Sequence, residues 1–237
     1  MDRISYLKEG LRPFGIELTQ ESLAKLLRFQ DMVLEANKVM NLTSITEEEA
    51  FIELHLIDSL TVLPSLSGAQ SVIDVGTGAG FPGMVLKIAR PELKLTLLDS
   101  LNKRLVFLAR AAQELELEDI QFLHQRAEDA AHMQEHRERY DAAVSRAVAH
   151  LSPLCEYCIP FVKTGGVFAA MKGKNAREEE QEAGACHSEL GCANPMKREF
   201  TLPYSGAQRT IFLYRKEKNT PPVYPRSPKQ IKNKRLS

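Results

Sequence analysis

The stretch Val72-Ile73-Asp74-Val75-Gly76-Thr77-Gly78-Ala79-Gly80-Phe81-Pro82-Gly83 decides the fold. A short apolar run ends in a carboxylate, and three glycines follow at every second position. The pattern predicts a buried strand turning at once into a helix. Glycines at that turn permit positive φ and let a ligand lie on bare backbone. Pro82 suits a first helical turn, where its missing N–H costs nothing. In an open α/β sheet the ligand crevice lies off the carboxyl ends of the strands, beside this first loop.

The loop narrows the cofactor. It lacks G-K-[ST], which excludes a phosphate-cradling P-loop. It reads G-x-G-x-G and not G-x-G-x-x-G, so a dinucleotide fits poorly. Asp74 would repel a pyrophosphate but suits an amine and a sulfonium, the charges of S-adenosylmethionine. Asp74, Gly76, Gly78 and Gly80 are therefore candidate cofactor-binding residues. The next strand, LKLTLLDS, ends in Asp99, 19 residues after Gly80. An acid there is placed to accept from ribose hydroxyls. The third strand, IQFLHQ, leads into Arg126-Ala127-Glu128-Asp129. Glu128 or Asp129 is placed to accept from the adenine amine; both also read as acids favoured by a helix N-terminus.

Outward from the loop, short apolar runs alternate with helical patterns. Strands are expected at 71–75, 94–98, 120–123, 140–145, 166–171, about 198–202 and 209–215. Helices are expected at 82–90, 101–115, about 126–137, 149–162 and 175–189. This alternation predicts an α/β fold, a mostly parallel seven-stranded sheet with helices on both faces. RTIFLYRK has no helix after it and reads as an added antiparallel strand.

Residues 1–65 read as an N-terminal helical extension. Leu23, Leu26, Leu27, Phe29, Val33 and Leu34 recur at helical spacing within 20–40. Thr46 and Glu49 form a capping-box pattern before a second helix, and Pro64 is expected to close it. Residues 66–218 form the expected cofactor-binding domain, and 219–237, with four prolines, an irregular basic tail.

At 237 residues, 43% hydrophobic and 26% charged, the chain is long enough for a sizeable core. No apolar run spans a bilayer. MDRISYLKEG has no signal-peptide core, so a cytoplasmic protein with no membrane partner is expected. Net formal charge is zero, but unevenly spread. Residues 1–60 carry 6 Lys+Arg against 11 Asp+Glu, and residues 215–237 carry 8 Lys+Arg against Glu217 alone. That end can meet a polyanion, or be a solvated tail. Cys155, Cys158, Cys186 and Cys192 read as reduced and structural. The competing zinc reading of C-x2-C and C-x5-C beside His187 places its two pairs far apart, and no metal is expected.

The chain resembles a known family through NLTSI (41–45), HLIDSL (55–60), the glycine stretch, LLDSLNKR (97–104), RAED (126–129), SRAVA (145–149) and MKG (171–173). These are similar to the bacterial small-subunit rRNA methyltransferase G family, also called glucose-inhibited division protein B, over about residues 20–215. The resemblance implies a class I, Rossmann-like methyltransferase fold. It implies methyl transfer from S-adenosylmethionine to N7 of one guanine in 16S rRNA, the guanine-527 site in the family. It implies cofactor contacts at Gly76, Phe81, Ala127, Glu128 and Arg146, with Asp99 at the ribose. The expected partner is 16S rRNA, as the small ribosomal subunit or its precursor, and the expected state is a monomer. GACHSELGCANP belongs to no pattern of the family.

Guanine N7 carries an in-plane lone pair and no proton, so attack on a sulfonium methyl needs no general base. Catalysis then rests on proximity and orientation. After the fourth strand the chain reads Ser145-Arg146-Ala147, without the Asn/Asp-Pro-Pro-aromatic tetrad that grips an exocyclic amine. Arg146 is the catalytic candidate, its fork suited to guanine O6 or a phosphate. Three other readings are weighed against this one. Cys155 as a cytosine-C5 nucleophile sits too far into a predicted helix. A small-molecule methyltransferase on the same fold lacks a reason for the basic tail, and a non-catalytic RNA-binding module lacks one for the intact glycine loop.

Overall fold

The computed structural model describes residues 1–233 and 236. The N-terminal helices are α1 (Arg3–Leu11), α2 (Gln20–Met40), α3 (Glu48–Phe51) and α4 (Asp58–Leu60). α3 runs into α4 through a wide π-type turn at Ile52–Ile57. α2 fills the expected range. Thr19 caps it through the Ser22 N–H, and Asn41 ends it in the left-handed region at φ 51°. The cap of the next helix is one residue later than expected. Glu47, not Thr46, accepts from the N–H groups of Glu49 and Ala50. Pro64 does not terminate that helix but sits in a separate 3-10 turn, Leu63–Leu66.

The sheet follows, with β1 (Ser71–Val75), α5 (Gly83–Ala89), β2 (Lys94–Asp99), α6 (Asn102–Glu114), β3 (Ile120–His124), α7 (Ala127–Ala130) and β4 (Tyr140–Arg146). It continues with α8 (Leu151–Cys158), β5 (Val162–Lys172), α9 (Ala176–Ala183), α10 (Cys186–Glu189), β6 (Met196–Thr201), β7 (Gln208–Arg215) and α11 (Pro228–Asn233). The strand order is β3-β2-β1-β4-β5-β7-β6. β7 runs antiparallel to both its neighbours, and the other pairings are parallel. The seven-stranded α/β architecture is as expected. The chain leaves β1 toward β2 on one side and returns to β4 on the other, which opens a crevice at the carboxyl ends of β1 and β4.

Period-two alternation sorts the strand side chains between two cores. Val72, Leu95, Leu97, Ala142, Val144 and Ala169 join a core with α2, α5 and α6. Ile73, Leu98, Ala143, Phe168 and Ala170 join a second with α8, α9 and α10. The N-terminal helices contribute Leu23, Leu26, Phe29, Phe51 and Ile57 to the first core. Residues 1–65 are thus welded to one sheet face. The cost of ordering them is offset by apolar burial there, about 1.5–3 kcal/mol per large side chain.

Three expectations need correction in detail. The helix expected over 126–137 stops at Ala130, and the Arg137 guanidinium takes the Ala131 carbonyl. The helix expected over 175–189 is broken into α9 and α10 at Gly184, whose φ of 52° ends α9. β5 starts four residues early, past an irregularity opposite Tyr140 and Ala142.

The segment after 218 also differs from an irregular tail. It docks on the second core. The Arg226 guanidinium forms paired bonds with Glu156 at 2.8 and 2.9 Å, Arg137 donates to the carbonyls of Thr220 and Tyr224, and Ser152 donates to that of Leu236. Lys216, counted among the tail cations, is buried and donates to Ile159 O and Thr220 Oγ1. Lys234 and Arg235 lie outside the described residues. Among the described residues no helix is long and apolar enough to cross a membrane.

Candidate functional site

Two cavities open at the carboxyl ends of β1, β4 and β5. The first, of about 540 Å³, is floored by the glycine loop and walled by Asp99, Glu128 and Arg146. Gly76 (φ 74°) and Gly78 (φ 58°) both lie on this floor in the left-handed region. A Cβ on Gly76 would sit 2.5 Å from Val148, so side chains are excluded there by contact as well as by φ. Gly78 N–H donates to Asp99 Oδ2 at 2.9 Å, which ties the loop to the end of β2. Asp99 also accepts from Leu101 N–H and Arg104. A carboxylate has about four acceptor sites, so one remains for a hydroxyl.

Glu128 is buried on the wall, where Arg126 Nε donates to its Oε1 at 2.9 Å. Asp129 is exposed and lines neither cavity, which separates the two adenine candidates. Ala127 and Phe81 line the first cavity.

Asp74 and Gly80 do not. Asp74 is fully buried beneath the loop, and its Oδ2 accepts the Gly83 N–H at the start of α5 at 2.8 Å. Burial pushes its pKa up to about 6, against the pull of the Thr77 hydroxyl and the Gly83 N–H. It shapes the loop from below and does not face a ligand's charge. Gly80 makes room for the N-terminal helices: a Cβ there would meet Phe29 at 2.9 Å.

Arg146 is no surface arginine. Its Nη1 donates to Leu54 O at 2.8 Å and Asp58 Oδ2 at 3.0 Å, and its Nη2 to His55 Nδ1 at 2.9 Å. Its guanidinium lies 5.2 Å from the Phe81 ring centroid. Three of five N–H donors are taken, leaving Nε–H and one Nη2–H for a substrate. Arginine only donates, so His55 Nδ1 accepts and its Nε2–H points to Thr43 Oγ1 at 2.8 Å. His55 stacks on Phe81 at 4.5 Å. Burial, helped by the Arg146 charge, drives the His55 pKa down to about 3, so the ring stays neutral. Asn37 shapes the loop carrying Thr43, its Oδ1 accepting the N–H groups of Leu42 and Thr43.

The second cavity, of about 740 Å³, shares His55, Arg146 and Ala147–Ala149 with the first. Its other lining residues include Lys172, Lys174, Glu179 and Arg209. Asp58 is clamped between Arg146 and Arg209 Nε at 3.1 Å.

His55, Asp58, Thr43 and Arg209 were not singled out as site residues from the sequence. A signal existed: His55 and Asp58, three apart in an apolar helix, share one face. Arg209 gave none, because its partner is 151 residues away. Of the cysteines, Cys155 lines neither cavity and burial raises its pKa, which leaves no activated thiol there.

A sequence profile described as rRNA small subunit methyltransferase G matches residues 22–201. The ribosomal RNA small subunit methyltransferase G of Alkaliphilus metalliredigens is 47% identical, over 96% of this chain and 96% of that one. Its counterpart from Acetivibrio thermocellus is 45% identical, over 96% and 94%. An O-methyltransferase from Bacillus cereus, solved in complex with SAH, aligns with TM-score 0.57 at 15% identity over 80% of this chain and 91% of that one. A SAM-dependent O-methyltransferase from Thermotoga maritima aligns with TM-score 0.53 at 16% identity, over 80% and 73%. At such identities the two structures speak for the fold alone.

Proposed function

This chain belongs to the rRNA small subunit methyltransferase G family, and from that premise we propose that it methylates N7 of one guanine in 16S rRNA, the guanine-527 site, using S-adenosylmethionine. The observation that carries the reading is the meeting of two cavities at one loop, Arg146–Ala149. One cavity fits a nucleoside carrying an amino-acid chain, and the other is basic and open to a flipped base.

The residues present fit the cofactor. Gly76 and Gly78 offer bare backbone, Asp99 keeps an acceptor site for a ribose hydroxyl, and Glu128 Oε2 is placed for an exocyclic amine. Bound there, the cofactor supplies an electrophilic methyl: the N7 lone pair takes the carbon, the carbon–sulfur pair stays on sulfur, and the guanine ring gains the positive charge. No side chain need remove a proton. The neutral His55 fits that requirement, since it holds Arg146 and has no spare basic nitrogen.

Arg146 keeps two N–H donors toward the shared wall, enough to hold guanine O6 or a phosphate. Val148 lies over Gly76 at the junction of the two cavities. Orientation of this kind is worth several kcal/mol of barrier. The test is transfer of labelled methyl to small-subunit particles that lack the modification, followed by reduction and aniline cleavage, which breaks the chain at 7-methylguanosine. Label at guanine 527 with a cleavage stop supports the reading. Label without the stop would move the methyl to another atom.

A further inference from the structure

We propose that Glu179, held beside Lys172, reads the Watson–Crick edge of the target base and selects guanine over adenine. The inference rests on the guanine-N7 reading above and deepens it.

Two carboxylates line the second cavity among the described residues, and they differ. Asp58 has both oxygens committed, Oδ1 to Arg209 and Oδ2 to Arg146. Glu179 Oε2 is buried and makes no hydrogen bond. Lys172 Nζ lies 2.7 Å from it, an ion-pair distance without hydrogen-bond direction, and donates instead to the Ala149 carbonyl. The Glu179 side chain is 16% exposed and that of Lys172 is 6% exposed. A first-turn glutamate is favoured by the helix dipole wherever it points. This one lines the cavity in an ion pair with Lys172, and a base that donates to the carboxylate adds the directed hydrogen bond that the pair lacks.

The chemistry of that pair matches one base. Guanine presents O6 as an acceptor beside N1–H and N2–H2 as donors. An ammonium beside a carboxylate is the complement. Adenine N7 is also a nucleophile, but its edge presents an amine to Lys172 and a lone pair to Glu179. Both contacts are then mismatched. The pair sits on β5 and α9 beside the Arg146–Ala149 loop that borders the cofactor side, since Lys172 Nζ donates to the Ala149 carbonyl and Met171 pairs with Arg146. With O6 on Lys172 beside that loop, the neighbouring N7 edge of the base lies on the loop's side as well. The carboxylate also lies near a ring that becomes cationic on methylation.

The test uses the full chain and reconstituted small subunits carrying either guanosine or inosine at the target. Inosine keeps N7, O6 and N1–H but lacks the N2 amine. Wild-type protein is expected to lose roughly 10–100-fold in kcat/KM on inosine, the loss typical of one unmade charge-assisted bond. Glu179→Ala is expected to lower activity on guanosine and to bring the guanosine-to-inosine ratio within about threefold of one. Cofactor affinity should be unchanged. Equal wild-type rates on the two substrates overturn the inference, and that measurement stands even where Glu179→Ala fails to fold. A variant that loses activity on both with the ratio intact also overturns it, since a structural role alone does that. Absence of any N7 methylation of guanosine by the wild type is a different result, and removes the parent reading.

Discussion

Arg146 Nη2 donates to His55 Nδ1 at 2.9 Å across 91 residues of chain. The bond joins the end of β4 to the N-terminal helices, so the wall between the two cavities exists only when those helices are docked. Phe81 from the glycine loop lies against both partners. Three of the motifs that carried the family resemblance meet in this one cluster.

Arg146→Lys keeps a positive charge near Asp58 but cannot reach Leu54 O, Asp58 and His55 together. We expect a stability loss of about 1–3 kcal/mol from the unmade bonds. Single-turnover methylation should fall at least about tenfold, because the wall shared by both cavities shifts. Cofactor affinity should fall less, as measured by calorimetry. Wild-type turnover in a folded Lys variant would show that Arg146 is only a joint.

The pH dependence of stability has a sign set by His55. Its folded pKa of about 3 lies below the ordinary 6.5. The unfolded chain therefore binds the extra proton first, and stability is full above 6.5 and lost as pH falls toward 3. The loss attributable to this ring at pH 5 is about 2 kcal/mol. His55→Gln should flatten this part of a urea-denaturation profile between pH 7 and 5.

Asp74 acts in the opposite direction. Its folded pKa of about 6 lies above the ordinary 3.8, so its contribution is full below 3.8 and lost as pH rises through 6. Asp74→Asn keeps an oxygen for the Gly83 N–H and removes the buried charge. At pH 8 it should unfold at equal or higher urea than wild type, with cofactor affinity within a few-fold. Asp74→Ala abandons the Gly83 N–H and should cost about 1–3 kcal/mol. A large affinity loss in the Asn variant would return Asp74 to direct contact with the ligand.

Gly78→Val places a branched side chain at φ 58° on the cavity floor. Its Cβ position makes only an ordinary contact, with Gly76 O at 3.9 Å, so the fold should survive at a cost of roughly 1–3 kcal/mol of backbone strain. Cofactor binding should be lost in calorimetry. Gly76→Ala should lose it too, and Val148→Ala should relieve part of the defect, since the added Cβ meets Val148.

The docked C-terminal segment changes what its charge can do. Glu156 is 1% exposed and paired with Arg226, so Arg226→Gln should cost about 3–5 kcal/mol by stranding the carboxylate. Lys229 and Lys232 are exposed. Replacing both with Gln should reduce the log–log salt slope of rRNA binding by at most about 2 units, with no effect on cofactor affinity. An unchanged slope would place the phosphate contacts elsewhere, around Lys103, Arg104 and Lys174.

The sequence by itself determined what depends on neighbours in the chain. Period-two and period-3.6 patterns encode which segments are strands and helices, so the seven strands and α2 were legible, and so was the reversed β7. The glycine spacing encodes a loop of bare backbone, and the places of Asp99 and Glu128 beside strand ends put both on the wall of the first cavity. Tertiary structure decided the partners that lie far apart along the chain. Arg146 reads as a free fork in Ser145-Arg146-Ala147, yet Leu54, His55 and Asp58 take three of its donors. Asp74 reads as a ligand's counter-charge, yet the packing of α5 against β1 turns it under the loop. Arg226 and Lys216 read as tail charges, yet both are drawn into the second core. Periodicity reports how a segment buries one face, and it carries no information on which distant groups will share a proton or a charge once that face is closed.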